Sequence, residues 1–194
     1  MRRRKNKLEK INKSILIIGI IFIFSIVVGS FLNKIWPSYQ KEIFLNISPM
    51  IDYYDSNLNL KSNVINNLKS DFLLIFIMSL STLFVFTFPI AMILFIIKGI
   101  SIGYTINSII LALKIKSIKM ILVTFSKNII VIPGTIILLI IGINYAKEVL
   151  FQKKKNILPL FNRHILNMLL LIFGTIFVQA IINFLITSLM KMLA

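Results

Sequence analysis

The sequence predicts an all-α fold: a polytopic integral membrane bundle of about five transmembrane helices, the third and fourth interrupted. Three observations carry this expectation. Between Phe72 and Leu113 the chain runs 42 residues with one charged side chain, Lys98. A helix crosses a bilayer with about 20 apolar residues, so this run holds two passes and is too long for one. Hydrophobic residues fill 58% of 194 positions and charged residues 14%, against about 25% charged in ordinary soluble domains. The net charge of +16 gathers at the ends of the apolar runs. Residues 1–194 therefore read as one membrane domain.

A basic arm at 1–14, with Arg2, Arg3, Arg4, Lys5, Lys7, Lys10 and Lys13, precedes the first apolar run at 15–32. That run just crosses a hydrocarbon core at about 1.5 Å per residue. It resembles a signal sequence, but Gly29-Ser30-Phe31-Leu32-Asn33 is a poor cleavage site, and an uncleaved anchor is expected. A polar loop follows at 33–71. The remaining spans are expected at 72–88, 89–113, 120–145 and 165–190. Between the last two lies a basic loop at 146–164, holding Lys147, Lys153, Lys154, Lys155 and Arg163.

Basic loops stay in the cytoplasm. The arm and the 146–164 loop agree on one orientation, with the N-terminus and 146–164 inside, and 33–71 and Ala194 outside. Lys114, Lys116 and Lys119 fall on the outer face and oppose it. Moving them inside would expose Lys153-Lys154-Lys155, a larger violation. The cations also suit anionic lipid headgroups. No aromatic-basic platform stands outside the spans to bind nucleic acid.

Helix punctuation marks the third and fourth spans. Pro89 can open a helix, because a first-turn proline loses no hydrogen bond. Gly99 and Gly103 form a small-xxx-small pair that admits a neighbouring backbone, and the same glycines tolerate a break. Pro133-Gly134 is an interruption signal a few residues after Asn128. Broken backbone at membrane depth must be satisfied by protein or water, so the two segments are expected to pack together.

The chemistry-bearing inventory is short. The acids are Glu9, Glu42, Asp52, Asp55, Asp71 and Glu148, none at the centre of an expected span. His164 is the single histidine and is expected at the interface. Cysteine is absent, and no clustered ligands or Gly-rich phosphate loop appear. Neither catalysis, cofactor nor metal is expected. Lys98 and Lys127 are intramembrane cations, functional candidates by default, or side chains that snorkel to an interface. Asn107, Asn128, Asn144, Gln179 and Asn183 read as interhelical hydrogen-bonding groups. In the outer loop, Trp36, Tyr39, Tyr53 and Tyr54 are residue types that anchor protein interfaces or mark the membrane boundary.

Phe88-Pro89-Ile90, an aliphatic stretch, and Lys98-Gly99-Ile100-Ser101-Ile102-Gly103-Tyr104-Thr105 together resemble a segment of the stage II sporulation protein M family. Lys127-Asn128-Ile129-Ile130-Val131-Ile132-Pro133-Gly134 resembles that family's polar-Asn-aliphatic-Pro segment. Ser126-Lys127 departs from the pattern by being more basic. The resemblance implies a non-enzymatic scaffold of the endospore engulfment machinery, at the septal mother-cell membrane. Its partners would be the peptidoglycan-degrading stage II sporulation proteins D and P, with homo-oligomer formation left open. A transporter or permease subunit is the competing class, because broken helices near the midplane often build substrate sites.

Overall fold

The computed structural model describes residues 2–35, 60–113, 121, 128–151 and 157–193. Its regular structure there is all helical: α1 (Arg2–Ile35), α2 (Leu60–Leu83), α3 (Phe88–Leu113), α4 (Val131–Phe151) and α5 (Ile157–Leu193). Four of these, α1, α3, α4 and α5, are long and apolar enough to cross a membrane. The protein is a helical membrane bundle.

Each helix buries one stripe. On α1 it is Ile18, Phe22, Ser25 and Gly29; on α4 it is Val131, Thr135, Leu138, Leu139, Gly142 and Tyr145. These spacings of three and four place the side chains on one helical face. The core joins Ile18 and Phe22 to Met78, Ala91, Phe95, Ile102, Leu138, Leu139 and Met168. The opposite faces are equally apolar, with Leu16, Ile23, Phe24, Ile93, Leu170, Phe173 and Phe177 exposed. An apolar exterior on this scale belongs in hydrocarbon, not water.

Side-chain pairings fix the helix directions. Along α1 and α3 the numbers climb together, from Phe22 against Phe95 to Ser30 against Asn107, so these helices run parallel. Thr82 meets His164 while Ser79 meets Met168, making α2 and α5 antiparallel. Tyr145 on His164 and Gly134 on Thr175 make α4 and α5 antiparallel as well. Thus α1, α3 and α5 run one way, and α2 and α4 the other. The start of α1, the 84–87 turn, the end of α4 and the start of α5 share one end of the bundle.

Several expected boundaries are corrected. The second helix begins at Leu60, not 72, because the polar stretch 60–71 contains no Gly or Pro to stop it. The third helix is continuous through Gly99 and Gly103, so the break expected there is absent. Packing against α1, described below, explains the glycines instead. Near the fourth span, Asn128 is helical, 129–130 form a turn and α4 opens at Val131. The interruption thus precedes Pro133-Gly134. Pro133 lies in the first turn, where it is tolerated, and the Gly134 N–H donates to the Ile130 carbonyl at 3.0 Å. The fifth helix begins at Ile157, with Pro159 in its first turn, so most of the expected 146–164 loop is helical.

Candidate functional site

Among the described residues, three polar constructions link one helix to another across the apolar interior. The first is the α1–α3 seam. A Cβ on Gly29 would lie 2.1 Å from the Ile100 carbonyl oxygen, and one on Gly103 would lie 2.0 Å from that of Ile26. Real Cβ atoms do not approach so closely, so each glycine is the site where the other helix's backbone touches. Gly99 meets Ser25 and Phe22. Asn107 Nδ2 donates to the Ser30 carbonyl at 2.8 Å, and Ser30 Oγ donates to the Gly103 carbonyl at 3.3 Å. Interhelical hydrogen bonds and close backbone approach are the forces available to helices in lipid, where burial alone drives little.

The second construction is an ion pair inside the α2–α3 hairpin. Lys98 Nζ stands 3.8 Å from Asp71 Oδ1, and both side chains are mostly buried. Asp71 lies 12 residues before the end of α2 and Lys98 lies 10 after the start of α3, or about 18 and 15 Å from the turn. The neighbouring Gly99 packs on Ser25, near the middle of the apolar run at 15–32. The pair therefore sits near half depth of an approximately 30 Å hydrocarbon layer. From sequence, Asp71 falls at the edge of the 33–71 loop. The missed signal was hairpin arithmetic: two residues nearly equidistant from a turn face each other.

The third construction centres on His164, which is 3% exposed and packed inside the bundle. Its ring stacks on Tyr145, with centroids 4.1 Å apart and planes at 8°. His164 Nε2 lies 3.2 Å from the Thr82 carbonyl and 3.3 Å from Thr82 Oγ1. The Thr82 hydroxyl also reaches the Ser79 carbonyl at 2.8 Å and Met168 Sδ at 3.0 Å. This cluster ties α2, α4 and α5 together next to the 84–87 turn. The turn is closed by Thr87, whose hydroxyl donates to the Ser81 carbonyl at 2.8 Å.

The two punctuated segments do not pair with each other through their glycines. α3 and α4 touch, but Gly99 and Gly103 contact α1, whereas Gly134 contacts Thr175 of α5 at 2.5 Å from its would-be Cβ. Pro89 and Pro133 are exposed, and Asn128 is buried. On α5, Gln179 and Asn183 are buried, the Gln179 amide donating to Asn183 Oδ1 at 3.3 Å. Lys127, Trp36, Tyr39, Tyr53 and Tyr54 lie outside the described residues. Compared with known proteins, the chain matches no family model, no curated protein and no solved structure.

Proposed function

We propose that this multi-pass membrane protein is a non-enzymatic scaffold of the endospore engulfment machinery. It would hold the peptidoglycan hydrolases known as stage II sporulation proteins D and P at the septal mother-cell membrane. The reading rests on the motif resemblance of Pro89, Lys98–Thr105 and Lys127–Gly134, and one observation carries it over the transport reading. The Gly99–Gly103 segment, which a transporter would use as a solute site, is filled by the backbone of α1 at Ile26 and by Phe22 and Ser25. A seam built on carbonyl-to-glycine contact leaves no room for a solute. The outer loop, with Trp36, Tyr39, Tyr53 and Tyr54, supplies the aromatic anchors of a partner surface on the peptidoglycan side.

Affinity capture from sporulating cells tests this. Recovery of peptidoglycan hydrolases, lost on Tyr53→Ala with Tyr54→Ala while membrane insertion persists, is the expected result. Hydrolase capture that survives this change but disappears on neutralising Lys153, Lys154 and Lys155 would move the partner surface to the opposite face. A permease subunit is the second reading, favoured by the Asp71–Lys98 pair at mid-depth, since intramembrane charges often line solute or proton paths. Recovery of an ATPase in place of hydrolases would select it.

A further inference from the structure

The end of the bundle bearing Lys147 and Arg163 holds a cleft of about 320 Å³ between α4 and α5. Two matching stripes wall it, at positions 141, 144, 145 and 148 on α4 and 160, 163, 164 and 167 on α5. Each follows the i, i+3, i+4, i+7 spacing of one helix face. The stacked, buried pair Tyr145 and His164 joins the two walls. Asn144, Lys147, Arg163 and Asn167 line the cleft and are exposed.

Depth and chemistry together suggest an occupant. Lys147 lies four residues before the end of α4 and Arg163 six after the start of α5, so both stand about 6–9 Å inside the helix ends. The headgroup layer of one leaflet is about 5–8 Å thick, so side chains as long as Lys and Arg at this distance from the helix ends can reach lipid phosphates. A phosphodiester offers only acceptor oxygens. Lys147 and Arg163 offer only donors, and the Asn144 and Asn167 amides can each present two. Arg suits this role because its planar fork grips phosphate bidentately.

We propose that this cleft binds the phosphate of an anionic phospholipid headgroup. Lys147 and Arg163 are its cationic contacts, Asn144 and Asn167 its amide contacts, and Ile141 walls the deeper, glycerol side while Leu160 lies nearer the helix ends. Glu148 is ion-paired with Arg163 and competes with the ligand for that guanidinium. The proposal stands independently of the scaffold and permease readings, since either protein would meet the same lipid.

Native mass spectrometry of the full chain, released from bilayers of phosphatidylglycerol and phosphatidylcholine, tests it. The wild type is expected to retain phosphatidylglycerol selectively. Lys147→Gln with Arg163→Gln should weaken retention roughly 25-fold, taking about fivefold per basic residue. Lys13→Gln, which removes an exposed cation of α1, should leave it unchanged. Glu148→Gln separates binding from structure, because it breaks the same ion pair while removing the competing carboxylate. Retention should rise in that variant. A fall like that of Arg163→Gln would mean that the pair only braces the helices, and the proposal would fail. It would equally fail if the Lys147 and Arg163 double variant kept its lipid. Displacement of the lipid by inorganic phosphate, with equal stabilisation of the protein, would keep the phosphate contacts but overturn the lipid as their source.

Discussion

At the scale of single residues, the bundle distinguishes glycines that look alike in sequence. Gly103 faces the Ile26 carbonyl at 2.0 Å from a hypothetical Cβ, whereas Gly174 has nothing within 4 Å. Gly103→Ala is therefore expected to destabilise the protein by about 1–3 kcal/mol, the usual range for overpacking a tight interior. Gly174→Ala should be neutral or stabilise by up to about 1 kcal/mol through helix propensity. Thermal unfolding in one detergent compares the two, and equal effects would refute the assignment. The spacing of Gly99 and Gly103 marked a packing face, because small residues four apart share one side of a helix. It did not identify the partner, since Gly29 lies far away in the chain and any small residue would have served. The partners of His164 are hidden in the sequence for a related reason. Its sequence neighbours are basic, and only the fold brings it to Thr82 and Tyr145.

Among the elements, α2 is the exception. Lys61, Asn63, Asn66, Asn67, Lys69 and Asp71 occupy its first half, and it is not among the helices apolar enough to cross alone. A lone Asp at a helix centre opposes insertion by about 2.5–3.5 kcal/mol. Pairing with Lys98 offsets part of that, so α2 is expected to enter the membrane as a hairpin with α3. Glycosylation mapping in microsomes should show residues 60–83 failing to insert alone, inserting when 84–113 follow, and failing again with Lys98→Glu. Exchanging the charges, Asp71→Lys with Lys98→Asp, should restore insertion. If residues 60–83 insert equally well in all contexts, the pair plays no part. The apolar cores of α1, α3, α4 and α5 were legible because composition alone demands them. The start of α2 was not, since a polar run free of breakers reads equally as loop or helix.

For the whole molecule, the helix directions bring the basic arm and the Lys147–Arg163 region to the same end of the bundle. The positive-inside rule then predicts that this end faces the cytoplasm. The chain contains no cysteine, so single-cysteine variants can be read without background. Phe86→Cys, in the turn and 96% exposed, should react with a membrane-impermeant reagent only after permeabilisation. Asn57→Cys should react in intact cells. Labelling in the reverse pattern would invert the topology. The sequence revealed this symmetry of charge, but not which helices lie side by side, because every span carries a similar apolar face and register depends on a few small and polar residues.

The parallel seam between α1 and α3 also sets a timetable. Gly29 leaves the ribosome 74 residues before Gly103. At about 5–20 residues per second that interval lasts roughly 4–15 s. Throughout it the first helix sits in the membrane with its contact stripe facing lipid or an insertion factor. An antiparallel hairpin would have closed on its nearest neighbour almost at once. Until α3 is made, the Gly29 face of the first helix has no partner backbone, so termination before α3 is expected to leave an anchored fragment with that glycine face open.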